Sequence, residues 1–538
     1  MNRRQFLQGA AVAPWLVGCW PNPQAPALQG SIVGAQHKVG HRLRDLKHET
    51  PQGERKKVDV LIAGGGIAAL TAAWRLSHGG LDDYLMLELE SDLGGNSRAA
   101  NYPASPAPWA AHYLPVPTLE STVVRRILTE MGLMRGVSAS GVPIYEEFDL
   151  CHALEERVYV LGRWEEGIYP KAGATSDDLA QLRRFDELVL KWQQYRDRQG
   201  LKAFALPLAL SSQDPEVLQL DQISMADYLL QNGFHSKRLH WYVEYGCRDD
   251  YGTSLIHTSA WAGLHYFASR DGGGIEPKDM QFVWPQGNHR LVQHLSQKLA
   301  GRGLSGRLVV RIQAQPQRWW VDVWNEGQQR LEGYSAGRVI CALPTFQRPY
   351  LLGEPPRPQF TYSPWTVSNL VLEKLPLSAA YDSVPLSWDN VIYDSPSLGY
   401  VVATHQSASH LNGPSVWTHY RPWAELDPVT ARRRLLETSW EQVCNEVLGE
   451  LARVHPDLPP LCRQLDVMQL GHAMIRPVPG FVWSRERLQA SHPRQGLHFA
   501  HSDLSGISIF EEASYHGVRA AQEILRDLGR LHEDFLKA

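Results

Sequence analysis

Residues 58–80 narrow the choice of fold more than any other stretch of the chain. Val58-Asp59-Val60-Leu61-Ile62 is a short apolar run. Ala63-Gly64-Gly65-Gly66-Ile67-Ala68-Ala69 leads from it into a helical stretch, Leu70 to His78, that Gly79 and Gly80 close. Strand, glycine turn and helix in this order open a Rossmann-type unit. The glycines follow a GxGxxA pattern: Gly64 permits the tight turn, Gly66 lets backbone approach a pyrophosphate, and Ala69 permits close helix packing. The helix start then offers unpaired N–H groups and the positive end of its dipole to phosphates. Tyr84-Leu85-Met86-Leu87 reads as the next strand, and Glu88 ends it about 20 residues past the turn, where an acid holds ribose hydroxyls. A glycine turn alone also occurs in unrelated α/β folds; the acid at this spacing selects a dinucleotide site.

The chain has 538 residues, enough for two to four domains. Its 43% apolar and 20% charged residues are ordinary globular usage and argue against wholesale disorder or a many-helix membrane protein. Lys and Arg number 53 against 57 Asp and Glu, a net charge of −4, so no nucleic-acid partner is expected. Beyond Cys19, Cys151, Cys247, Cys341, Cys444 and Cys462 form no CxxC and no ligand-like spacing to His. No structural metal is expected. A disulfide is permitted without being demanded, and Cys341, in the apolar run VICALP, reads as a small buried hydrophobe.

Met1 to Trp20 has a charged start, an apolar stretch from Phe6 to Gly18 and small residues near its end, the layout of an export signal. Gln8 and Pro14 interrupt it, and it stops short of the about 20 apolar residues a membrane span needs. Arg3-Arg4 ahead of Gln5-Phe6-Leu7 resembles a twin-arginine signal, which implies the twin-arginine export machinery as a partner and a cofactor acquired before export. Leu16-Val17-Gly18-Cys19 resembles a lipobox, which implies acylation of Cys19; the alternative is a plain cleaved signal. The expected location is the periplasm, soluble or membrane-anchored, with the membrane met only through that lipid. Residues 20–57, proline-rich early and polar and basic later, read as a linker or a surface arm.

Glu88-Leu89-Glu90-Ser91-Asp92-Leu93-Gly94-Gly95-Asn96-Ser97-Arg98 resembles the flavin-containing amine oxidase superfamily, in which a second glycine pair follows the ribose acid at this distance. The resemblance implies that Gly94 and Gly95 run beside the diphosphate and flavin of FAD. The family's next residue is Arg; this chain has Asn96 and places its arginine at Arg98. At the far end, Leu497-His498-Phe499-Ala500-His501-Ser502-Asp503 and Ser508 to Ala521 resemble the family's closing FAD motif, with a strand at the ribityl chain and a helix start at the flavin pyrimidine. There Ser502 or Asp503 is implied to hold ribityl hydroxyls and Phe510 to offer its backbone N–H. His501 and Ser502 stand where the family has Gly and an acid. Between these ends, Trp284 to Leu291, the strand pair Leu308 to Val323 and Arg338-Val339-Ile340-Cys341-Ala342-Leu343-Pro344 match the family's return segments, with Val309 implied to pair with adenine. The match spans most of residues 58 to 526.

The implied fold class is α/β: a Rossmann-like FAD-binding domain interleaved with an α+β substrate domain. Residues 1–19 are the signal and 20–57 the linker. The FAD-binding domain takes 58–119, 281–345 and 466–538, and the substrate domain 120–280 and 346–465. Where the family often carries a lysine beside flavin N5, the best ungapped placement puts Asn369. Gly471 to Gly480 contains no cysteine where some relatives link flavin covalently, so non-covalent FAD is expected. His472 and Arg476 in that segment, and His112-Tyr113, are candidate pocket residues, each with an ordinary structural role as the alternative. Asp249 and Asp250 read as helix-end charges that are solvated or paired. The expected function is hydride transfer from a small-molecule substrate to flavin, as in an amine oxidase. The rivals are a desaturase or isomerase of the same superfamily, which predicts a long apolar tunnel without carboxylates, and a non-catalytic flavin-binding envelope protein.

Overall fold

The computed structural model describes residues 27–46, 48–275, 280–380, 382–407 and 413–537; the stretch read as an export signal, with Cys19, lies outside them. Helix α1 (His37–His41) belongs to an N-terminal arm, and the Rossmann unit follows as β1 (Lys56–Ala63), α2 (Ile67–His78) and β2 (Tyr84–Leu87). Further along, α3 (Lys237–Tyr251) and α4 (Ala260–Ala268) precede the strands β3 (Arg307–Ala314), β4 (Trp319–Asn325) and β5 (Arg330–Cys341). The remaining elements that frame the site are β6 (Tyr362–Leu372), β7 (Ser415–Pro422), β8 (Cys462–Ile475), β9 (Leu497–Phe499) and α5 (Phe510–Asp527).

Strands β2, β1, β5 and β9 run parallel in that order, with Gly303–Leu304 outside β2, and β4 and β3 add antiparallel to the first part of β5. Leu61, Ile62, Val339 and Ile340 have no exposed surface, as strands covered on both faces require. The register sets Ala63 beside Cys341 and Cys341 beside Phe499, so three segments far apart in sequence end side by side at one edge. Helix α5 crosses α2 backbone to backbone: a Cβ on Gly517 would lie 2.2 Å from both the Ala68 carbonyl oxygen and Thr71 Oγ1.

A second, mixed seven-stranded sheet runs β8, β6, β7, then Tyr400–Val402, Asp389–Ile392, Glu156–Val160 and Arg163–Glu166. Residues before 281 and after 345 thus build one sheet together. Its edge strand β8 is continuous and pairs Asp466 with Asn369, so residue 466, the boundary read from sequence, falls inside it. Residues 466–475 belong to the substrate-side sheet. The helical block packs α3 on α4, with Leu239, Val243, Trp261 and Leu264 without exposed surface. Ser224 caps Met225–Gln231, its hydroxyl accepting the Asp227 N–H, as its sequence position predicts. The arm is packed rather than free. Gln29 and Ile32 bridge Gln464 and Val467 of β8, and Leu43 and Leu46 are buried against the Rossmann sheet.

Candidate active site

The turn after β1 has the geometry its glycines demand. Gly64 has φ +106°, and a Cβ there would lie 2.9 Å from the Ala342 carbonyl oxygen. Gly66 caps α2 without a side-chain partner, leaving first-turn N–H groups for an anion. A Cβ on Gly66 would meet only the Gly95 Cα, at 4.0 Å, an ordinary contact, because the second glycine pair packs on this turn. Gly94, at φ +120°, donates its N–H to the Gly65 carbonyl at 2.8 Å, docking the second glycine pair on the first turn. Ala69 is fully buried in the helix packing. Glu88 takes the Gly65 and Glu90 N–H groups on its two oxygens at 2.7 and 2.9 Å; burial pushes its carboxyl upward against those donors.

The C-terminal segment closes on the same edge. Ala500 donates to the Cys341 carbonyl at 3.0 Å, and the chain turns through Ser502–Leu504 to Ile509, the N-cap of α5. Phe510 and Glu511 open this 18-residue helix beside a cavity. Asn96, Ala473, Met474, Ser508 and Ile509 line the near end of that cavity. Asn288 lies in its wall, 2% exposed, with Nδ2 donating to the Tyr113 carbonyl and Oδ1 without a protein partner. An orphaned buried acceptor and a helix start at one cavity, beside a glycine turn and the uncapped N-terminus of α2, fit a flavin dinucleotide.

The far end of the cavity is acidic and aromatic. The end of α3 brings in Asp249 and Asp250, with Arg270 beyond α4. Arg270 Nη2 donates to both Asp250 oxygens at 3.0 and 3.1 Å. Asp249 Oδ2 accepts the Tyr113 and Tyr266 hydroxyls, each at 3.4 Å. Burial, with Asp250 and Asp389 close by, pushes the Asp249 carboxyl up to about 8, so it is largely protonated at neutral pH. Burial likewise raises Glu511. Two acids at a helix carboxyl end are opposed by the dipole as well, and a cation there is favoured. Trp365, Val367 and Tyr420 form the wall, where the His112 ring lies 4.5 Å from Tyr420 and 5.5 Å from Trp388. Burial takes His112 down to about 4, so it enters the cavity wall neutral.

The other residues singled out from sequence have structural partners. Asn369 is fully buried away from the cavity lining. Its Nδ2 donates to the Pro108 carbonyl at 3.2 Å and its Oδ1 accepts the Thr418 hydroxyl at 2.7 Å, so both ends of the amide are engaged within the fold. Arg476 grips Thr253 Oγ1 through Nε and Nη2 at 3.1 and 2.9 Å, outside the cavity. His472 stacks on Phe346 at 4.1 Å beside Tyr362, also outside it. Arg98 donates to Glu90 at 3.2 Å and to the Gly95 carbonyl at 3.1 Å, and so supports the glycine pair from behind. Asp503 is 1% exposed and accepts from the Thr345 N–H at 2.8 Å and the Tyr362 hydroxyl at 2.6 Å, with the His501 ring at 2.9 Å from its other oxygen. Ser502 is buried beside it. Val309 is buried in β3, just before a bulge at which the ladder with β4 skips Val310. Asp249 and Asp250, which sequence reasoning left among solvated or paired charges, line the cavity instead, and only Asp250 is ion-paired.

Residues 62–131 match the NAD(P)-binding Rossmann-like domain family. No curated protein sequence matches the chain. Among solved structures, putrescine oxidase bound to putrescine superposes with a TM-score of 0.64 at 16% identity, covering 88% of this chain and 100% of that one. Cyclohexylamine oxidase from Brevibacterium oxydans gives 0.61 at 15% identity, covering 88% and 99%. A fatty acid isomerase from P. acnes that produces CLA gives 0.59 at 13% identity, covering 87% and 98%. The chain therefore has a mixed α/β fold with a Rossmann-like dinucleotide-binding domain, the fold it shares with these amine oxidases.

Proposed function

We propose that the protein is an exported FAD-dependent oxidoreductase that oxidises an amine. The observation that carries this reading is the cavity. Its lining brings Asn96, next to the second glycine pair, and Glu511 at the start of α5 together with Asp249 and Asp250 of α3, and Arg270 is the single cation among them. FAD held non-covalently by Gly64, Gly66, Glu88, Gly94 and Gly95 would supply the hydride acceptor. The chain's own groups then bind and orient the donor. Asp250 supplies the carboxylate for the amine nitrogen with Asp249 beside it, and Tyr113, Trp365 and Tyr420 line the same cavity with aromatic rings, a type of group that attracts a cation. Asp249, poised near neutrality, is matched to take up and release the ammonium proton. The start of α5 offers N–H groups where negative charge develops on reduction. Three carboxyls in the lining speak against the apolar tunnel of a desaturase or isomerase. The twin-arginine-like start and lipobox-like Cys19 support export with the cofactor in place.

An anaerobic reduction screen tests the reading. Primary amines and diamines should bleach the flavin, while neutral alcohols and unsaturated fatty acids should not. Bleaching by the fatty acids, with none by any amine, would overturn it.

A further inference from the structure

The N-terminal arm spans both halves of the molecule, across the edge where the cofactor-binding segments meet. Its first part extends the substrate-side sheet: the Gln29 N–H donates to the Arg463 carbonyl at 3.0 Å, the Leu465 N–H to the Gln29 carbonyl at 2.8 Å, and the Val33 N–H to the Val467 carbonyl at 2.8 Å. Its last part is fixed to the Rossmann sheet. Leu43 and Leu46 are 6% and 3% exposed in the cluster that holds Leu61, Leu87 and Val309, and the Arg42 guanidinium lies 3.8 Å over the Trp324 ring.

Between these anchors the arm is tied to the cradle itself. The Gln36 N–H donates to Glu90 Oε1 at 2.9 Å. The other oxygen of Glu90 accepts Arg98 Nη1 at 3.2 Å, Arg98 Nε donates to the Gly95 carbonyl at 3.1 Å, and the Glu90 N–H donates to Glu88 at 2.9 Å. Glu90 thus joins the arm to the cradle twice: its carboxylate reaches Gly95 through Arg98, and its backbone N–H holds the ribose acid. Gly40 sits against Leu89, where an added Cβ would be 3.5 Å from Leu89 Cδ2. On the other flank, His41 and Arg44 come near His472, which stacks on Phe346 just past the Ala342-Leu343-Pro344 strand end that contacts Gly64.

We infer that residues 28–46 are a strap that closes the dinucleotide crevice and retains the cofactor, with Glu90 as the buckle. The inference rests on the flavin reading above. A strap anchored on both sheets would have to lift from one of them before a dinucleotide held at the Glu88 side of the turn could leave, so its contacts would enter the dissociation rate. An arm that merely decorates the surface would leave that rate unchanged.

The test uses the mature protein loaded with FAD, a Gln36→Pro variant and a variant lacking residues 20–46. Gln36 has φ −80°, within reach of proline, so the first substitution removes the N–H donor with little backbone change. Released FAD is followed by its fluorescence after dilution. Loss of one hydrogen bond to a carboxylate predicts about tenfold faster release in Gln36→Pro, and removal of the whole arm more than that. In parallel, trypsin cleavage at Lys38, Arg42 and Arg44 should slow several-fold when FAD is added to cofactor-free wild-type protein. Full FAD content with unchanged release in both variants, or arm cleavage indifferent to FAD, overturns the strap and leaves the flavin reading standing. Wild-type protein that takes up no FAD overturns both.

Discussion

Asp249→Asn should stabilise the protein in a pH-dependent way. Asp249 is held at about 8 against an ordinary value of 3.8, because burial and its acidic neighbours disfavour the charge. An acid raised on folding costs nothing below its ordinary value, where both states carry the proton. The cost grows as pH rises toward the folded value and is constant above it. At pH 7 about three pH units of that interval count, and at about 1.36 kcal/mol per unit the ceiling is about 4 kcal/mol; at pH 5 only about one unit counts and the ceiling is less than half of that. Asparagine buries no charge and keeps an acceptor for the Tyr113 and Tyr266 hydroxyls, so most of the gain should survive. Thermal unfolding of cofactor-free wild type and variant at pH 5, 7 and 8 reads it out. The variant should unfold several degrees higher at pH 8 and nearly with the wild type at pH 5. A pH-independent difference, or a variant that is less stable at pH 8, would refute the reasoning.

Other outcomes follow from single contacts. Gly66→Val should abolish FAD retention by crowding the turn against Gly95 where backbone approaches the pyrophosphate, while the fold, read by circular dichroism, persists. Arg270→Gln leaves Asp250 buried without its cation and should cost about 3–5 kcal/mol, measured by denaturant unfolding near neutral pH; acid conditions that protonate Asp250 should recover part of it. Asn369→Leu strands the Pro108 carbonyl and Thr418 hydroxyl and should cost about 1–3 kcal/mol in stability, while kcat/KM of the folded enzyme stays within a few-fold of wild type. A loss of kcat beyond a hundredfold there would return Asn369 to the reaction.

The parts of the site that were legible in the sequence are those with a local physical need. Gly64 requires a positive φ, Glu88 ends a strand at a fixed distance from the turn, and Ala69 permits close helix packing. The acidic end of the cavity was not legible, because Asp249 and Asp250 reach it only through the packing of α3 and α4, and the partner Arg270 lies beyond the next helix. One signal was present: paired acids at a helix carboxyl end oppose the dipole, and a cost borne there calls for a reason. Asn369 misled because strand side chains repeat every second residue. Trp365 and Val367 share its face and reach the cavity, whereas Asn369 lies further along the strand, against Pro108. The boundary at 466 failed for a similar reason, since nothing in Cys462 to Ile475 marks which of two sheets the strand joins.

The central claim is that segments separated by hundreds of residues converge on one flavin dinucleotide. Acid precipitation of the purified protein, with the nucleotide then quantified in supernatant and pellet, tests it directly. The account predicts one FAD per chain, all of it in the supernatant. Recovery of a nicotinamide dinucleotide in its place, or protein that carries no nucleotide and takes up no added FAD, would contradict it.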